Sequence, residues 1–284
     1  MSVAAPAPQR DRTPATPLAA PSNARSLADV VRRGLRDQRR APLYWGGGLG
    51  AMCALMAAIW PSIEDSMTEL VENYPDGLMK AFGISELNTV EKYIDAEMLS
   101  IIVPLAMAFF AVRCATRATV GAEERGHLDT LLSLPLARGV VVAGSFAVTA
   151  ILVAAILAVM AAMTWLAGTV AGTGISLSSL VAGFGNVWPV SMAFAGLATL
   201  VAGISSRPAV VTATATGTLV AMYVVDLAGK LAEAIEPLRA ISAFRYYGSA
   251  IQQGFDVSHA IGLTLVAITL TAAGAVLFDR RDVR

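Results

Sequence analysis

From Gly139 through Ser206 the chain holds no Asp, Glu, Lys, Arg or His. One bilayer crossing takes about 20 apolar residues, so this uncharged stretch is long enough for two. A Gly/Ser/Thr connector over 168–179 divides it into spans at about 139–167 and 180–204. The same texture recurs at about 43–60, 98–120, 209–227 and 260–278. Charged residues make up only 15% of the sequence, against about 25% in a soluble domain. The expected fold is all-α: a polytopic integral membrane protein with six transmembrane helices.

The ends of the apolar runs carry the remaining information. Residues 1–25 are rich in Ala, Pro, Ser and Thr and cannot bury enough surface to fold, so they are expected to form a disordered tail before a single membrane domain, 26–284. Ser26 with Asp29 resembles a capping box, and Leu27, Val30, Val31 and Leu35 share one helical face opposite Arg32, Arg33, Arg36, Arg39 and Arg40. An N-terminal interfacial amphipathic helix is expected there, with anionic membrane lipid as its partner. Net charge is zero, so no nucleic acid is implied. Tyr44, Trp45 and Trp60 mark aromatic belts on the first span, whose GGGLG offers a close-packing surface. The acidic stretch 62–97 reads as an external loop, partly helical around 67–82. Sixteen of the 21 Lys and Arg fall in the tail, the loops after the second and fourth spans, and the C-terminus. By the positive-inside rule those segments, both termini included, are cytoplasmic.

Several chemistries are not written in the sequence. There is no G-x-x-x-x-G-K-[ST] segment, so the chain is expected neither to hydrolyse ATP nor to be an enzyme. His127 and His259 fall on opposite sides of the membrane and cannot share a metal. Cys53 and Cys114 lie at different depths and read as two small buried hydrophobes. No serine sits in a G-x-S-x-G setting. Ion-driven carriers need an intramembrane ionisable residue, and the fifth span is charge-free until Asp226 at its outer end. In that span Thr212, Thr214, Thr216 and Thr218 alternate with Ala and Gly, making i,i+4 pairs. Such a face packs against a neighbouring helix or lines a translocation route.

The polar interval between the second and third spans, TVGAEERGHLDTLLSLPLAR over 119–138, is expected to form a short amphipathic helix by the spacing of Leu128, Leu131, Leu132 and Leu134. By itself a charged loop between apolar helices is a solvated connector. EERGHLDTLLSLPLAR, however, resembles the cytoplasmic loop of ABC-2 type transporter permeases, which commonly reads as an acidic pair, glycine, Thr/Glu/Asp, a Leu-Leu pair, then Pro and Arg. In that family the loop is the coupling helix that touches the ATPase. The resemblance assigns coupling to Glu123, Glu124, Gly126, Asp129, Leu131, Leu132, Pro135 and Arg138. ISAFRYYGSAIQQG over 241–254 resembles the family's Ser-Pro-Phe-x-Tyr-Tyr segment before the last span, with Ala243 where proline is common. The ending FDRRDVR is similar to its Phe-x-Arg-Arg-Asp close. The resemblance covers most of 43–284 and implies a permease subunit with three partners: a cytosolic ABC ATPase subunit that binds ATP and Mg, a second permease (homodimer or heterodimer), and membrane lipid. It implies no cofactor in this chain, and a plasma-membrane exporter of an amphipathic or hydrophobic substrate (drug, antibiotic or lipid-like) whose route runs beside the second and fifth spans. An ion-coupled secondary carrier and a non-transporting scaffold for envelope or metal-centre assembly remain as alternatives.

Overall fold

The structure, a computed structural model, describes residues 23–72, 89–121 and 138–280. An amphipathic helix, α1 (Asn23–Asp37), comes first. The helices long and apolar enough to cross a membrane follow as α2 (Pro42–Ser66), α3 (Val90–Ala118), α4 (Gly139–Val170), α5 (Leu177–Ile204), α6 (Pro208–Leu231) and, after a short α7 (Ala243–Tyr247), α8 (Val257–Arg280). No strand occurs among the described residues. The chain is an all-α, multi-pass membrane protein with six candidate spans. The tail before Asn23, residues 73–88 of the acidic stretch expected to be an external loop, and residues 122–137 of the segment expected to couple to an ATPase lie outside the described residues.

Five of the six expected spans fall wholly inside their helices; the second does not. α3 begins at Val90, where the Thr89 side chain accepts the Lys92 N–H at 3.4 Å and caps the first turn. Val90 and Ile94 are fully or almost fully buried, and so is Asp95, at 3% exposure. Sequence reasoning assigned Asp95 to a solvated loop because acidic residues surround it; the fold instead draws that turn into the bundle. Trp60 is likewise not a lipid-facing belt residue. It is buried and packs on the Tyr93 ring at a centroid distance of 5.3 Å.

α5 is the axis of the fold, packed against α3, α4, α6 and α8. Its approach to α8 is set by small residues. A β-carbon on Gly196 would meet the Ala267 carbonyl oxygen at 2.5 Å, and one on Gly274 would meet the Thr199 carbonyl oxygen at 2.6 Å. Backbone lies directly on backbone there, the geometry small residues permit between membrane helices. Pro189 interrupts the α5 ladder, and the Trp188 indole beside it donates to the Ala150 carbonyl of α4 at 2.9 Å. α2 seats on α4 through two glycines of GGGLG: Gly46 faces Val159 and Gly50 faces Met160 and Met163, while Gly47 and Gly48 meet nothing.

α1 does not merely lie on the membrane surface. Val30 and Leu27 cover Gly144, and Val148 covers Gly34, so the apolar stripe of α1 docks on the first turns of α4. Arg32, Arg33, Arg36 and Arg39 are exposed on its other face.

Between α6 and α8 the chain folds back into the bundle. A 3-10 segment, Glu233–Ile241, leads to α7, where Ser242 serves as the N-cap and donates to the Met222 carbonyl at 2.7 Å. Ala243 stands at the first helical position, where a missing N–H costs nothing, so the proline common there in ABC-2 type permeases is compatible with this geometry. Phe244 is buried against the rings of Phe194 and Tyr223. Asp226, buried near the end of α6, binds Arg239 of the α6–α8 connection at 2.9 Å and Lys230 in the last turn of α6 at 3.0 Å, so both basic residues pair with a buried carboxylate.

The π-helical turn Asp95–Ile102 explains the neighbouring hydrogen bonds. The Val103 N–H donates to the Met98 carbonyl, five residues back. The next bond in that register would need an N–H from residue 104, which is proline. The orphaned Leu99 carbonyl is instead reached by the Tyr247 hydroxyl at 2.8 Å. Burial, with the Asp95 carboxylate nearby, pushes the Tyr247 phenol well above its usual range, so it remains a donor. Tyr247→Phe is expected to cost about 1–3 kcal/mol by leaving that carbonyl unsatisfied. In a Pro104→Ala background the cost should fall by roughly 1 kcal/mol, because residue 104 regains an N–H. A double-mutant cycle by thermal unfolding in detergent checks this; strictly additive effects would refute the register argument.

Candidate translocation site

At the end of the bundle where α1 meets α2, α3 and α6 line a cavity of about 1130 Å³. Its walls come from the last turns of α3, the first turns of α6, and the α1–α2 junction. Trp45 stacks on Phe110 at 5.4 Å with the rings tilted by 58°, and Phe109 adjoins them, giving an aromatic wall. Arg40, Arg113 and Arg117 are exposed and line the cavity together with Asp37.

Of the four threonines singled out in the fifth span, the fold places two in this wall. Thr212 and Thr216 line the cavity. The Thr216 hydroxyl is shielded from solvent and has no hydrogen-bond partner. Thr214 is exposed and its carbonyl accepts the Thr218 hydroxyl at 2.9 Å, the ordinary back-bond of a helical threonine. Neither lines the cavity. A helix turns 100° per residue, so an alternating stripe cannot keep one face; the i,i+4 pair 212/216 stays together and 214/218 rotates away. The cavity also carries charged side chains, because Arg40, Arg113, Arg117 and Asp37 reach it from the helix ends.

Glu123, Glu124, Gly126, Asp129, Leu131, Leu132 and Pro135 lie outside the described residues. Arg138 opens the helix that continues as α4. That helix packs on α2, α5 and α1.

At the opposite end, sequence reasoning missed a second polar cluster. The Asp95 carboxylate accepts the Ser249 hydroxyl at 2.5 Å and the Gln252 amide at 3.1 Å. The Asn186 amide on α5 donates to the Tyr247 carbonyl at 2.6 Å. Glu91 accepts the Ser176 N–H at 2.7 Å, at the start of α5. The bonds to Ser249, Gln252 and Tyr247 tie the returning segment 242–254 to α3 and α5, and the Glu91 bond ties α3 to the start of α5. The signal for it was present in the alternation of Ser, Gln and Tyr over 246–253, but its partners lie some 150 residues away. No group of His, Cys, Asp and Glu suited to a metal occurs among the described residues.

No curated protein matches the chain. A family model described as "Multidrug efflux system permease Rv1217c, C-terminal domain" matches residues 28–279, which take in most of α1 and nearly all of the six-helix bundle. The chain therefore belongs to this family and is a membrane permease of an efflux system.

Proposed function

We propose that the chain is the membrane-spanning subunit of an ABC-2 type exporter, paired with a second permease and driven by two cytosolic ATPase subunits that bind ATP and Mg. The observation that carries this reading is the resemblance of EERGHLDTLLSLPLAR, within 123–138, to the coupling loop of such permeases, inside a chain that has no Walker motif of its own. The distribution of Lys and Arg supports a cytoplasmic position for that loop and for the cavity between α3 and α6. ATP binding closes the ATPase dimer, the loop passes the displacement into α4, and the helices rock to open the cavity to the other side. The cargo is an amphipathic or hydrophobic molecule that the aromatic wall accepts.

Affinity purification of the full chain from its native membrane is expected to recover an ATPase subunit, and proteoliposomes of that complex are expected to move amphipathic dyes only with ATP. Transport by the chain alone under an ion gradient would make it a secondary carrier. Copurification without any transport would make it a scaffold.

A further inference from the structure

A second cavity, of about 660 Å³, lies between α4, α5 and α8. Phe184 of α5 and Leu157 of α4 line it at 1% and 3% exposure. Gly185 faces it too, and a β-carbon there would meet nothing within 4 Å. Only two lining side chains carry a polar atom, and both are engaged. The Thr264 hydroxyl donates to the Ala260 carbonyl at 2.8 Å, and the Trp188 indole to the Ala150 carbonyl at 2.9 Å. Pro189 offers no N–H to the Gly185 carbonyl, but a single acceptor falls short of the about three partners that hold an enclosed water.

Water is therefore a poor occupant. An empty space is no better, because every lining atom forfeits its dispersion contacts. Hydrocarbon restores those contacts and asks for no hydrogen bond. Its source is set by what borders the cavity. α4, α5 and α8 are candidate membrane spans, and Ile261 and Leu265 at the rim are exposed, as are Ile151 of α4 and Ile268 of α8 beyond it. The cavity is thus continuous with the lipid-facing surface, where acyl chains already lie. Tails are as apolar as leucine, so filling the void, not hydrophobicity, drives entry. The α8 wall runs from Val257 to Leu265, about 12 Å at the rise of an α-helix, which fits within one leaflet of a core about 30 Å thick. Charge matches this placement: the exposed Asp256 and His259 pair flanks the end at Phe255 and Val257, where a headgroup belongs.

We propose that this cavity binds one acyl chain of a membrane lipid, drawn from the leaflet at the end of the bundle where segment 242–254 returns. The site stands on the membrane fold and not on the exporter reading.

The test places the full chain in phosphatidylcholine nanodiscs containing a trace of phosphatidylcholine with a diazirine midway along one acyl chain, and maps the adducts after illumination by mass spectrometry. Adducts are expected on Phe184 or Leu157, as well as on the exposed Leu55 of α2. Gly185→Phe puts a ring into the cavity, and the Phe184 and Leu157 adducts should then fall at least about tenfold relative to those on Leu55. If that variant fails to insert, Ala158→Phe fills the same space from α4. If neither inserts, the wild-type map decides, since a chain lying on the outer surface does not touch side chains so deeply buried. Absence of these adducts in the wild type, or their persistence in an inserted filling variant, overturns the proposal. Nile red added from water probes a cargo occupant. Should it remove the Phe184 and Leu157 adducts and spare those on Leu55, the cavity is a cargo site and the lipid assignment falls; unchanged adducts support the lipid. The assay involves no ATP, so a failed search for an ATPase partner leaves this inference standing.

Discussion

Gly274→Val is expected to separate α8 from α5 and to lower the stability of the bundle by about 3 kcal/mol, the upper part of the usual range for overpacking. The added β-carbon alone would sit 2.6 Å from the Thr199 carbonyl oxygen and 2.7 Å from the carbonyl carbon. Those are backbone atoms of the central helix and cannot swing aside as a flexible side chain would. Relief requires α8 to move away, and that breaks the second close contact, Gly196 on Ala267, in the same interface. Gly262→Val, on the same helix but with nothing within 4 Å, should leave stability within about 0.5 kcal/mol of wild type. Intrinsic-fluorescence melting of the two variants in detergent checks the contrast. Similar melting temperatures would show that α5 and α8 are not held by this contact.

Loss of coupling is the second large effect. Glu124→Gln and Gly126→Val should each leave the protein inserted and paired with its ATPase while abolishing substrate-stimulated ATP turnover in the assembled complex. The expectation follows from the proposed role of the loop: it joins α3, whose last turns line the cavity, to the helix that opens at Arg138 and packs against α2 and α5. A displacement delivered at the loop therefore reaches both walls of the route through rigid elements. Comparing stimulated ATPase activity with the yield of assembled complex separates coupling from assembly. Unchanged turnover in both variants would remove the loop from the mechanism.

Local composition was enough to find six spans, and to place five of them, because each depends on a hydrophobic run visible within one segment. The uncharged run 139–206 could only be two crossings, and α4 and α5 lie where it put them. The pairing of Thr212 with Thr216 follows from helical spacing, and the cavity wall keeps that pair while rotating Thr214 and Thr218 away. Asp95 was not legible. Its neighbours Glu91, Lys92 and Glu97 read as a loop, and only Ser249 and Gln252, brought back by the return of the chain before α8, make its burial affordable. Trp60 was misplaced for a related reason: the same amphipathic ring serves a lipid interface or a Tyr93 contact, and sequence alone does not distinguish them.

What the amino-acid order determined by itself is the all-α class and the number of apolar crossings, since hydrophobic length is a property of single stretches. Tertiary structure alone decided which polar groups share a space. Arg40 and Arg113 lie 73 residues apart, and Thr212 is farther still, yet all three line one cavity. Their meeting depends on how closely the helices pack, as where Gly46 and Gly50 of α2 and Gly34 of α1 seat on α4. Those are packing constraints between segments, and no window of sequence contains them.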